Sequence, residues 1–181
     1  MSVSVAMSAQ QTRYYDAAQL NVIGKAIPTS KDYTRIDTAA YKFNDAVIEE
    51  YACHSTGLAV LFATDSPFIK AKWQTSGKNA APNMTAIAQK GLDLYIRQNG
   101  EWVFAGVGRP VMEKEPEYAS HKGTIVKSMA PGRKECLLYL PLYDCLDSLF
   151  IGIDENSYIE PLDNPFRHRI VIKGSSVTHG L

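Results

Sequence analysis

The chain has 181 residues, 45% of them hydrophobic, and its 19 Lys and Arg balance its 19 Asp and Glu to a formal net charge of zero. That is enough chain for one well-buried domain of ordinary globular composition. With no basic excess or cluster it lacks the electrostatic footprint of a nucleic-acid binder, and no stretch approaches membrane-spanning length.

Met1 to Ala9 is small and apolar, and Ala6-Met7-Ser8-Ala9 has the small-residue spacing of a signal-peptidase site. A basic n-region is missing and the apolar length is short. We read residues 1–9 as a signal-peptide remnant, with an irregular N-terminus as the alternative, and expect an exported protein, periplasmic or extracellular in a bacterium. Between Asp16 and Tyr51, Leu20–Ile23 and Tyr33–Ile36 suit short strands, and Asp45–Tyr51 suits one helical turn or an irregular edge.

From Gly57 the pattern is β. Leu58 to Ala63 is apolar on both faces and fits a central strand between two layers, and Phe68 to Trp73 alternates, with Ile69, Ala71 and Trp73 inward and Lys70 and Lys72 outward. Thr75 to Asn83 has loop composition. Leu92, Leu94 and Ile96 share one strand face and Asp93, Tyr95 and Arg97 the other. Asn99-Gly100 supplies the left-handed pair of a type I′ turn, and Glu101 to Val107 returns, so this unit is a hairpin. Pro110 to Lys122 is polar and reads as a long exposed loop. Further strands are expected at Thr124–Met129, Glu135–Leu140 and Ser148–Ile153, with one more at Tyr158–Pro161.

Many short strands punctuated by turns, with no sustained helical period, predict an all-β chain of β-sandwich or jelly-roll form over residues 10–165. Leu162 to Phe166 has linker composition. After it the style changes. Ile170-Val171-Ile172 is a β-branched run suited to a strand buried on both faces, and Gly174-Ser175-Ser176-Val177-Thr178-His179-Gly180 follows as a small-residue turn, so residues 166–181 form a separate unit.

The three cysteines, Cys53, Cys136 and Cys145, lack metal-ligand spacing. Cys136 and Cys145 are open to pairing in an exported protein, and buried thiols in a β-core are the equal alternative. His54, His121 and His168 are scattered and expected to face solvent or cap backbone, with no metal-like pair. No metal or cofactor is expected.

The closing turn resembles the first motif block of the SGNH (GDSL-type) hydrolases, and Gly91-Leu92-Asp93-Leu94-Tyr95 resembles the signature of the GxDLY domain, a β-rich module found in front of SGNH hydrolase domains in bacterial proteins. The resemblance implies a sandwich followed by an α/β catalytic domain. It makes Ser176 the nucleophile and a backbone N–H donor to the oxyanion, with Gly174 and Gly180 shaping the turn and His179 in a polar wall or at a helix start. It implies ester hydrolysis, with acylated carbohydrate as the substrate class. A serine needs a base to take its proton, and the tetrahedral intermediate needs oriented donors. The family's Asp-x-x-His occurs nowhere in the sequence, and Gly77-Lys78-Asn79 fits Gly-x-Asn only by chance. The 181 residues alone are therefore expected to be inactive, with an SGNH catalytic domain as the missing partner. Asp93 and Tyr95 are open to lining an interdomain interface or pocket rim, but a structural role is favoured, with Gly91 a backbone requirement. A second reading is a free-standing carbohydrate-binding or adhesion module that stacks sugar on Trp73, Trp102 and tyrosines.

Overall fold

Where apolar residues alternate or run together, strands form. β1 is Thr12–Asp16, β2 Asn21–Ile23, β3 Ala59–Thr64, β4 Ile69–Thr75 and β5 Leu92–Gln98. β6 is Glu101–Gly108, β7 Ser120–Val126, β8 Lys134–Tyr139, β9 Leu146–Asp154 and β10 Ile159–Pro161. Among the described residues, two short α-helices, α1 at Ala46–Cys53 and α2 at Ala86–Lys90, and a 3-10 turn at Ala17–Gln19 interrupt them. The computed structural model describes residues 11–78, 82–111, 119–172 and 174. The signal-peptide remnant proposed for residues 1–9 lies outside them, as do Ser176, His179 and Gly180.

One sheet runs β1-β9-β4-β7 and the other β10-β3-β8-β5-β6, with β2 also paired to β3. Every pairing is antiparallel. The inward faces meet in one core that includes Val60, Phe62, Ile69, Trp73, Leu92, Leu94, Leu138, Leu149 and Ile151. This is the all-β sandwich that the strand pattern predicts. Along one side the sheets nearly touch, because Gly106 of β6 lies against β7; a Cβ there would sit 2.2 Å from the Ile125 carbonyl oxygen.

The β5–β6 hairpin forms as expected, with Asn99 at φ 51° and Gly100 at φ 90°. On β4, Ile69, Ala71 and Trp73 are buried and Lys72 is exposed. Asp45 caps α1, its carboxylate accepting from the Val47 N–H at 2.8 Å.

Three local expectations are corrected. Tyr33–Ile36 forms no strand. Side chains satisfy that loop's backbone instead, with Ser55 Oγ donating to the Tyr33 carbonyl at 2.8 Å and Asp37 accepting from the Ser30 and Ala39 N–H groups. The run from Pro110 is not loop to Lys122, since β7 starts at Ser120 and pairs Trp73 with His121. Ile170-Val171-Ile172, a lone run with no neighbours here to bury it, is 81%, 70% and 75% exposed, and no strand pairs with it among the described residues. Finally, Cys145 bonds Cys53 and not Cys136. The two Cα atoms are 5.4 Å apart, inside the range a disulfide spans, and the bridge ties the end of α1 to the β8–β9 connection. Cys136 stays a free thiol, which burial in the core pushes up to about 12.

Candidate functional site around the Gly-Leu-Asp-Leu-Tyr strand

Gly91 stands at the junction of α2 and β5, its N–H donating to the Ile87 carbonyl at 3.0 Å. Its φ of −73° is open to any residue. Space is what requires glycine, because a Cβ would lie 2.3 Å from the Ile87 oxygen and 3.3 Å from the Gly108 oxygen. β5 then runs between β8 and β6. Leu92 and Leu94 are fully buried and Ile96 nearly so, which leaves Asp93, Tyr95 and Arg97 on the outer face.

That outer face is largely aromatic. The Tyr95 ring meets Phe104 edge-on at 5.7 Å and Tyr139 edge-on at 5.8 Å. Asp93 lies opposite Tyr139 on one side and Val107 on the other. Its carboxylate is exposed, yet its surroundings exclude enough water to raise its pKa. At the far end of the same face Arg97 pairs with Glu135 at 3.2 Å and lies 6.0 Å from the Trp102 ring centroid. Ala59, Leu61 and Leu137 point outward as well but are buried, because Ile23, Tyr95, Trp102 and Leu162 pack over them.

The residues after β10 supply part of that cover. The Leu162 N–H donates to the Leu61 carbonyl at 3.4 Å and Asn21 Nδ2 donates to the Leu162 carbonyl at 2.9 Å. Phe166 faces Trp102 at 6.4 Å between ring centroids, and Arg169 reaches the Ala26 carbonyl at 3.3 Å. Residues of linker composition are therefore strapped across the sheet. Gly174 is exposed.

Behind the signature lies a buried polar centre that sequence reasoning missed. Lys90, the residue before Gly91, is 0% exposed and its Nζ sits 2.5 Å from Asp144 Oδ2. The same ammonium donates to the Ser76 carbonyl at 2.8 Å and to Thr75 Oγ1 at 3.3 Å. Asp144 Oδ1 accepts from the Cys145 N–H at 2.8 Å and the Ser76 N–H at 3.3 Å. The Trp73 indole N–H donates to the Lys90 carbonyl at 2.9 Å. His121 completes the group: its Nδ1 accepts from the Val111 N–H at 3.2 Å and its Nε2 lies 3.0 Å from Thr75 Oγ1. Nδ1 is thus an acceptor, so the proton sits on Nε2. Burial and then the Lys90 charge lower the imidazole pKa to about 4 and keep the ring neutral. A signal existed for part of this, since Thr85 and Gly91 are ordinary brackets for a short helix carrying Lys90.

Both nitrogens of His121 are engaged, so it is not placed as a general base. His54 is also buried, with its ring 5.3 Å from Tyr51 and 5.0 Å from Tyr143, so neither of these two histidines faces solvent, while the Val111 N–H contact makes His121 the backbone-capping alternative; His168 is exposed. Trp73 is 2% exposed in the core, whereas Trp102 is half-buried on the outer face of the other sheet, so the two do not make a sugar-stacking pair. A shallow cleft of about 350 Å³ opens over Trp73 and His121, and its other titratable lining groups are Lys72 and Lys122. Among the described residues no three His, Cys, Asp or Glu side chains cluster as a metal site would need, and no helix is long and apolar enough to cross a membrane.

The family described as GxDLY, the N-terminus of SGNH-hydrolase-type esterases, matches residues 12–159. A crystal structure from Bacteroides ovatus, of a protein described as a GDSL-like lipase, is 42% identical with a TM-score of 0.87, over 94% of this chain and 49% of that one. The salicylyl-acyltransferase SsfX3 from a tetracycline biosynthetic pathway shares the fold at 17% identity and a TM-score of 0.58, over 87% of this chain and 43% of its own. This chain spans about half the length of either solved relative. No curated protein matches it.

Proposed function

Since this chain belongs to the GxDLY family, the N-terminal domain of SGNH-hydrolase-type esterases, we propose that it is the accessory β-sandwich of an exported ester hydrolase acting on acylated carbohydrates. The carrying observation is the family match over residues 12–159 together with a 42% identical solved protein that has as much chain again. Ser176 is the nucleophile of that enzyme and its backbone N–H one donor of the oxyanion hole. The base, the aspartate and the remaining donors belong to the catalytic domain, so the 181 residues by themselves are expected to hydrolyse no ester. Export is supported by the Cys53–Cys145 bridge, since disulfides persist in oxidising compartments. Acylated carbohydrate rests on family analogy.

The test is covalent labelling with a fluorophosphonate, which reacts with activated serines. With the hydrolase domain attached, Ser176 takes the label and Ser176→Ala does not; in the 181 residues alone no serine is labelled. Labelling of a different serine in the joined protein would refute the assignment.

A further inference from the structure

We propose that the outer face of the six-stranded sheet at Asp93, Tyr95, Phe104 and Tyr139 is the surface on which the SGNH-type catalytic domain docks, an inference that rests on the function proposed above. Three observations carry it. First, this end of the face is apolar and uncovered: Phe104 is 56% exposed and Tyr139 39%, with Tyr95 wedged between them. Clustered aromatics on a surface are the composition of interface cores. The outer face of the other sheet also exposes an aromatic ring, Phe150 at 38%, but sets Lys70, Lys72 and Lys122 around it, with Lys72 Nζ 4.0 Å from the Tyr14 ring centroid, so it is a charged face.

Second, the chain leads there. Arg169 is held at the Ala26 carbonyl, just past Ile23; Ile23 pairs with Ala59, and Ala59 with Tyr139. Tyr139 is thus two strand spacings, about 10 Å, from the strand that anchors the strap. Third, the residues after that anchor, Ile170 to Ile172, are apolar and exposed, so they need cover from outside the sandwich. A 42% identical protein has as much chain again to supply it.

Hydroxyl-radical footprinting read by mass spectrometry measures side-chain exposure directly. The 181-residue chain has its own core and serves as the free state. We expect Phe104 and Tyr139 to label at least fivefold more slowly when the hydrolase domain is attached, with Tyr14 and Phe150 of the other sheet unchanged. Equal labelling of Phe104 and Tyr139 in the two proteins overturns the proposal, and so does protection of Tyr14 and Phe150 in their place. Protection that grows with concentration in the isolated chain overturns it in favour of a second copy. Protection of Phe104 and Tyr139 without fluorophosphonate labelling of Ser176 supports the docking surface while refuting the catalytic assignment, so the two readings fail separately.

Discussion

Asp144→Asn should be among the most damaging substitutions in the sandwich, although it changes hardly any volume. The Lys90 side chain is 0% exposed and that of Asp144 4%, so neither charge has water to fall back on. Asparagine keeps an oxygen for the Cys145 and Ser76 N–H groups but withdraws the charge facing Lys90 Nζ. Breaking one side of a buried pair costs about 3–5 kcal/mol, a large share of the ~5–15 kcal/mol that holds a domain together. With a urea slope of roughly 2 kcal/mol/M the midpoint should fall by about 1.5–2.5 M, read by circular dichroism. The double variant Lys90→Met with Asp144→Asn removes the orphaned cation and leaves both N–H donors an acceptor, so it should recover most of the loss. An Asp144→Asn cost below about 1 kcal/mol, or a double variant as unstable as the two single losses added, would refute the view of this centre as a charge-matched clasp.

Cys53→Ser with Cys145→Ser opens a cross-link spanning a sequence separation of 92; stability should fall by about 3–5 kcal/mol, and reductant should lower the wild type by a similar amount while leaving the variant unchanged. His121 is neutral in the fold with its pKa near 4 against an ordinary 6.5. The unfolded chain therefore takes up this proton first as pH drops, so stability is full above about 6.5 and declines towards pH 4, by at most about 3 kcal/mol. His121→Gln should flatten that part of the pH profile, and an unchanged profile would show that the imidazole is not its source. Gly91→Ala should cost about 1–3 kcal/mol through the clash with the Ile87 carbonyl, seen as a lower thermal midpoint; Gly77→Ala, where a Cβ meets nothing within 4 Å, serves as the control.

Sequence reading succeeded where the determinant is local. The alternation of Ile69, Ala71 and Trp73 and the Asn99-Gly100 turn are written in consecutive residues, and both appear as expected. β3 is apolar on both faces for the reason expected of a strand between two layers, although one layer is partly the strap: Val60 and Phe62 face the core, while Leu61 sits under Leu162. What stayed hidden depends on partners far along the chain. β1 carries little pattern of its own and exists as a strand because β9 pairs with it. Spacing offered Cys145 only Cys136 as a partner, and it takes the fold to bring Cys53 to it. Nothing in the residues beside Lys90 sets its ammonium apart until Asp144 and Ser76 are placed around it. Asp93 and Tyr95 were legible as a signature, while their aromatic setting required the register that sets Tyr95 against Phe104 and Leu137 and places Tyr139 opposite Asp93.

The most direct measurement of the central claim is the steady-state hydrolysis of p-nitrophenyl acetate by the 181-residue chain and by the same chain joined to its hydrolase domain. No turnover above buffer is expected for the first, and for the second a rate that Ser176→Ala abolishes. Turnover by the 181 residues that disappears in Ser176→Ala would contradict it, because the sandwich would then hold a base of its own.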